Sequence, residues 1–326
     1  MILDHAYEVI TDDIFLRLGD LVPGSEVFLK LEGLNPAGSI KLKAAVGMVE
    51  DAERAGGVPP GGRIIESSSG SLGIALALVA TAKGYSFTCV TDPNTSPHSV
   101  ALMRALGADV VQVSRRDANG GFLGTRIAYI RERLTAEPDM VWLNQYANPA
   151  NPRAHETHTA TAILSEIACV DYLFVGAGTS GTLMGCLAHF RKHSPATQII
   201  AVDSEGSVTF GYPAGPRHIP GLGTSRRPEI CHPDAPDKII LVPEAEAVRA
   251  CRSFARRGIF VGGSTGSVLA AVARMAPEVP ENSRVVAISP DLGDRYAQTV
   301  YNDDWVARKF GPEALSVGEL VGQAGR

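Results

Sequence analysis

The chain contains no run of 18 consecutive apolar residues, which excludes a membrane-spanning helix. Cysteine is scarce. Five residues (Cys89, Cys169, Cys186, Cys231, Cys251) in 326 form no CxxC pair, a pattern of reduced thiols in a cytoplasmic protein rather than a disulfide framework. Charge is also sparse, at 20% of residues. The 30 basic and 35 acidic side chains lie scattered, for a net −5, so neither nucleic acid nor an anionic membrane is expected as a main partner. The opening MILDHAYEVITDD is acidic and lacks the cationic-then-apolar order of a secretory signal. No internal repeat or low-complexity tract is present.

What the chain does have is alternation. Short β-branched runs predict strands at Val27–Leu31, Arg63–Glu66, Ser86–Thr91, Asp109–Val113, Met140–Leu143, Tyr172–Val175, Gln198–Asp203, Lys238–Val242 and Arg284–Ser289. Helix-length stretches separate them, including Ser39–Arg54, Leu72–Lys83, Pro97–Leu106 and Phe122–Leu134. In the last, Leu123, Ile127, Ile130 and Leu134 recur at helical spacing. This rhythm predicts an α/β protein with mostly parallel sheets and helices on both faces. The length suggests about two domains. The turn-forming cluster Asn144–Asn151 is a natural junction, and Gly211–Pro236, with six Pro and four Gly, is a long loop of the functional or disordered kind. The tail after Lys309 carries no identifiable chemistry.

Four segments could carry chemistry. In Leu31–Lys43, LEGLNPAGSIKLK, the turn Asn35–Gly38 precedes Ser39 as an N-cap and puts Lys41 in a first helical turn. A cation is disfavoured there. Lys41 is therefore either a solvated side chain or an amine held neutral often enough to form a Schiff base. In Ile64–Gly73, IIESSSGSLG, a strand leads through serines and glycines into a helix, which is either an anion cradle or a plain capped turn. No lysine follows, so it is not a nucleoside-triphosphate loop.

In Asp171–Gly185, Gly176, Gly178 and Gly181 fit GxGxxG, and Asp203 ends the next strand. Both a dinucleotide site and a single-phosphate site lined by Thr179, Ser180 and Thr182 satisfy that pattern. Ile259–Val268, IFVGGSTGSV, again reads strand, small-polar turn and helix, placing Ser264 outside a strand's carboxyl end. His155 and His158 lie three apart on a predicted helix. No carboxylate or cysteine accompanies them at ligand spacing, so they are expected to be capped or surface groups and no metal site is expected.

Taken together, in this order and from about Thr11 to Tyr301, these segments resemble the fold-type II pyridoxal-phosphate enzymes of the cysteine synthase and cystathionine β-synthase family. The resemblance implies a two-domain fold, with residues 41–149 a small mobile domain and residues 1–40 plus 150–326 a large cofactor-binding domain. It implies pyridoxal 5'-phosphate linked to Lys41 and touched by Ser71, Gly178, Thr179, Ser180, Gly181, Thr182 and Ser264, the last at the pyridine nitrogen. Ser68, Ser69, Gly70 and Gln145 would hold the substrate carboxylate, with Asn148-Pro149 in the same turn. DLGDRY, residues 291–296, matches a late strand-to-helix turn of the family.

The departures are Ser71 where the family usually has Asn, Leu72 for Thr, Ser180 for Gly and Tyr146 for Phe. The last two, with Arg217–Ser225, resemble the siderophore-pathway branch that joins O-phospho-L-serine to L-glutamate through an α-aminoacrylate, giving N-(2-amino-2-carboxyethyl)-L-glutamate. In that reading Arg126 takes the phosphate leaving group, against the alternative of a solvated helix arginine, and Tyr146 and Ser180 orient glutamate. The alternatives are a cysteine synthase using sulfide, or a catalytically silent binding relative. Small amino-acid substrates, no nucleic acid or membrane partner, a homodimer and a cytoplasmic location complete the expectations.

Overall fold

The computed structural model describes residues 2–19 and 21–316, so the end of the tail lies outside the described residues. In chain order the strands are β1 (Phe15–Arg17), β2 (Glu26–Leu31), β3 (Arg63–Ser67), β4 (Ser86–Thr91), β5 (Asp109–Gln112), β6 (Met140–Trp142), β7 (Tyr172–Gly176), β8 (Gln198–Ser204), β9 (Lys238–Val242) and β10 (Arg284–Ser289). They form a six-stranded sheet ordered β1-β2-β10-β7-β8-β9 and a four-stranded sheet ordered β5-β4-β3-β6. Every neighbouring pair is parallel except β1 with β2.

The two-residue period of a strand explains why both faces of each sheet are covered. On the larger sheet, Val285, Ala287, Phe174 and Val202 face the helices Glu244–Ala255 and Gly263–Met275. Their chain neighbours Val286, Ile288, Leu173 and Ala201 face the other way, against Gly181–His193 and Thr161–Glu166. On the smaller sheet, Ile64, Phe87 and Cys89 pack on Lys41–Arg54, Ser71–Lys83 and Pro97–Ala105. Ile65 and Val90 instead meet Ile130 of the helix Leu123–Ala136. Each buried Val, Ile, Leu or Phe contributes roughly 1.5–3 kcal/mol. No helix among the described residues is long and apolar enough to cross a membrane.

Three expectations are corrected. β1 was not expected, because three residues are too few to show a period. It exists as an antiparallel edge with Phe15 opposite Lys30. Ile259–Val261 is not a strand. Between Gly258 at φ +78° and Gly262 it has room only for one bridge, Val261 to Leu292, and its carbonyls are taken by Tyr301 Oη and Gly293 N.

His155 is neither capped nor at the surface. The helix starting at Ala150 widens to a π-helical winding over His155–Ala160 before resuming at Thr161. His155 and Thr159 are thereby buried on its inner side, while His158 is exposed. Such bulges often sit at functional sites.

The long loop before β9 is held by backbone bonds, among them Val208 N to Thr224 O and Gly223 N to Ala177 O. The second of these brings it against the loop that follows β7.

Candidate active site

The carboxyl ends of β2, β3, β6, β7 and β10 supply the polar loops, as open α/β sheets do. After β2, Asn35 shapes its own turn: Nδ2 donates to the carbonyls of Glu32 (2.9 Å) and Ser39 (3.0 Å), and Oδ1 accepts from Ala37 N. Gly38 takes φ +63°, and Ile40 N donates to Pro290 O. Contrary to expectation, Ser39 does not cap the helix that follows, since Ile40 holds the cap position and the buried Ser39 hydroxyl has no partner. Lys41 then opens the helix Lys41–Arg54.

Its Nζ has no hydrogen-bond partner among the described residues, and burial pulls its pKa down to about 8, resisted by the Asp291 carboxylate. Asp291 accepts from Tyr296 Oη at 2.8 Å, and its buried Oδ1 has no partner. Burial raises this acid to about 6, with the Tyr296 hydrogen bond opposing.

After β3, the hydroxyl oxygen of Ser68 accepts from Gly70 N (3.1 Å) and Gly73 N (2.9 Å), so it organises the start of the helix Ser71–Lys83 and keeps one proton to donate. Ser69 is exposed and Gly70 takes φ +149°. Gln145 is tied to this loop twice: its Nε2 donates to Ser67 O at 2.6 Å, and its backbone N donates to Glu66 Oε2 at 3.1 Å. Glu66 also accepts from Ser67 N and Trp142 Nε1, and burial raises its pKa to about 7 against those donors.

Tyr146 Oη lies 3.4 Å from Ser67 Oγ. Arg126 is 7% exposed, with Nε 3.5 Å from Asp92 Oδ2, and neither Nε nor Nη1 has a hydrogen-bond partner. It is no solvated helix arginine, unlike exposed Arg131.

After β7, Ser180 adopts φ +68° and opens the helix Gly181–His193. A methyl group on Gly178 would lie 2.7 Å from Gly221 O, and one on Gly181 would strike the Asn151 amide. Thr179 Oγ1 accepts from Asn151 Nδ2 (3.2 Å), Thr182 Oγ1 lies 3.3 Å from His155 Nε2, and the buried Ser180 Oγ has no partner. Ser264 is buried in the first turn of Gly263–Met275, beside Gly221.

Residues 262–266 have GxSxG spacing, but among the described residues no histidine hydrogen-bonds Ser264, so the hydrolase arrangement is missing. Asp203 is wholly buried and accepts from Ser204 N, which removes it from any ribose. No group of three or more His, Cys, Asp or Glu among the described residues is placed for a metal.

The arrangement suits a phosphorylated aldehyde. Lys41 offers an unpaired amine, and the loop after β7 offers backbone N–H groups and a free hydroxyl at a helix start with no room for side chains at Gly178 or Gly181. Asn151, Glu66 and Arg295 have no site role in the sequence reading, and His155 is weighed there only as a metal ligand. Only Glu66, a charge within the apolar run IIE, leaves a signal there.

The comparisons agree with this chemistry. A family model described as pyridoxal-phosphate dependent enzyme matches residues 15–291. The N-(2-amino-2-carboxyethyl)-L-glutamate synthase of Ralstonia nicotianae is 42% identical over 312 residues, covering 94% of this chain and 92% of the relative. The synthase of the same name from Cupriavidus metallidurans is 44% identical over 289 residues, 87% of this chain and 85% of its own length. Among solved structures, O-ureido-L-serine synthase superposes with a TM-score of 0.86 at 31% identity, covering 94% of this chain and all of that one. O-acetylserine dependent cystathionine beta-synthase from Helicobacter pylori gives 0.85 at 29% identity, covering 93% and 100%. The chain belongs to the pyridoxal-phosphate dependent enzyme family.

Proposed function

We propose that this enzyme performs a β-replacement in which O-phospho-L-serine and L-glutamate give N-(2-amino-2-carboxyethyl)-L-glutamate and phosphate. The observation that carries the reading is Arg126, a buried cation near Tyr146 whose Nε is ion-paired with Asp92 at 3.5 Å and whose Nη1 has no hydrogen-bond partner. A phosphate leaving group brings close to two negative charges and calls for such a cation, where an acetyl ester does not. The relatives named for this product support the choice of nucleophile.

Lys41 would hold the cofactor aldehyde, Gly178–Thr182 its phosphate, Ser264 its ring nitrogen, and Ser71 would lie near the ring. The cofactor supplies an electron sink that stabilises negative charge at the substrate Cα. Lys41 Nζ takes the Cα proton. At a pKa of about 8, roughly a quarter of the amine is free base at pH 7.5, against about a thousandth for an ordinary lysine.

Ser68, Ser69, Gly70 and Gln145 hold the carboxylate, and residues 41–149 close over it. The Cβ–O bond breaks with its electron pair leaving on phosphate. Arg126 receives that charge, the glutamate amine forms the new Cβ–N bond and sheds its proton to the departing phosphate or solvent, and Lys41 returns a proton to Cα. Tyr146 and Ser180 present hydroxyls to the glutamate carboxylates.

The test is to mix purified holoenzyme with O-phosphoserine or O-acetylserine, then with glutamate or sulfide, following phosphate release and product mass. Glutamate-dependent phosphate release with a product of the combined mass is expected. Preferred use of O-acetylserine with sulfide overturns the reading.

A further inference from the structure

A hydroxyl can serve an anion only by donating its proton, so the orientation of the hydroxyls in the loop after β7 matters. Two buried hydrogen-bond chains fix it for Thr182 and Thr179. The first begins at Lys43, whose ammonium has donors only. It gives them to Glu32 Oε2 (2.7 Å), Thr159 Oγ1 (3.2 Å) and Asp12. Thr159 is fully buried, and having accepted from Lys43 it keeps one proton, facing His155 Nδ1 at 3.2 Å. A proton on Nδ1 would leave the Thr159 hydrogen buried with no acceptor, an arrangement folded proteins avoid.

His155 is held neutral. Burial first, then the positive charges of nearby Lys41 and Lys43, keep its pKa well below the ordinary value, with Asp12 opposing. Its single proton therefore sits on Nε2, 3.3 Å from Thr182 Oγ1. Thr182 accepts it and has its own proton to give. The second chain is shorter: Asn151 Nδ2 donates to Gln145 O (2.8 Å) and to Thr179 Oγ1 (3.2 Å), so Thr179 accepts there and has its own proton to give.

We infer that Lys43 and Thr159, acting through His155, are positioning residues that make Thr182 a proton donor to the cofactor phosphate, as Asn151 does for Thr179. This rests on the reading of Gly178–Thr182 as the phosphate loop. Neither Lys43 nor Thr159 touches the reacting atoms. The Thr159 hydroxyl acts on the site through the polarity of one hydroxyl, so its loss is expected to affect the phosphate and not the aldehyde that Lys41 binds.

The experiment compares pyridoxal phosphate with pyridoxal, which lacks the phosphate, titrated into full-length protein stripped of cofactor. Thr182→Val tests the phosphate loop and the near-isosteric Thr159→Val tests the relay. Each is expected to weaken pyridoxal phosphate about tenfold, the order of one lost hydrogen bond, with pyridoxal unchanged and Thr159→Ser restoring the wild-type value. In wild-type holoenzyme, ¹⁵N NMR should find His155 neutral with its proton on Nε2.

If Thr182→Val leaves the ratio of the two affinities unchanged, the phosphate loop is misplaced and the underlying reading fails. If Thr182→Val changes the ratio but Thr159→Val leaves it unchanged, or weakens both ligands equally, the relay alone is overturned. An Nδ1-protonated His155 in the wild-type protein overturns it too, whether or not the Thr159 variant folds.

Discussion

Arg295 donates to the hydroxyl of Ser71 across 3.4 Å, and its other terminal nitrogen donates to the carbonyl of Ala37. One side chain from the turn after β10 thus braces both the loop that carries Lys41 and the loop that begins at Ser67. Gly38, in the lysine turn beneath that guanidinium, takes φ +63°, a conformation that favours glycine. Ser71 Oγ accepts from Arg295 and keeps a proton to donate into the site.

Ser71→Asn should therefore be tolerated. The asparagine Oδ1 can take the Arg295 hydrogen bond while Nδ2 replaces the serine proton as donor. Cofactor affinity, followed by fluorescence titration, should be equal to or tighter than wild type, with turnover retained. Abolished turnover with intact cofactor binding would show that the shorter hydroxyl is itself required.

With Lys41 as the proposed base, its titration is expected to set the acid side of the pH profile. Burial lowers its pKa to about 8, so the base form is present above that value and is lost as pH falls through it. The rate constant kcat should fall about tenfold per pH unit below about 7.5 and level off above about 8.5. Borohydride reduction of the holoenzyme followed by peptide mass mapping should place the pyridoxyl group on Lys41. Lys41→Ala should lose both the label and turnover.

Arg126→Ala should separate the two leaving groups. Removing a charge-assisted bond costs about 1.5–3 kcal/mol, roughly ten- to a hundredfold in kcat/KM. That loss is expected with O-phosphoserine and not with O-acetylserine, measured on the same preparation. The O-acetylserine arm controls for the unpaired Asp92 that the substitution leaves behind. Equal losses for both donors would remove Arg126 from the phosphate position.

Much of the scaffold was legible in the sequence because its causes are local. Every strand with a clear β-branched run formed, from Val27–Leu31 to Arg284–Ser289, and the turn chemistry of Asn35–Gly38 put Lys41 at a helix start. Two loci depart from their local signature because tertiary context decides them. β1 is a strand only because β2 offers an unpaired edge. Ile259–Val261 has strand-like residues but spends its carbonyls on Tyr301 and Gly293.

The amino-acid sequence by itself determined the alternation of strands and helices, the lysine turn, and the glycine-rich loops, since periodicity and backbone preference act between near neighbours. Only the tertiary structure decided what those loops face. It set Asp291 near Lys41, drew Asn151 between Gln145 and Thr179, buried His155 between Thr159 and Thr182, and turned Arg126 toward Asp92. Each of these contacts joins separate elements or depends on a local widening of a helix. Its geometry follows from how the two sheets and their helices pack, which no single segment encodes.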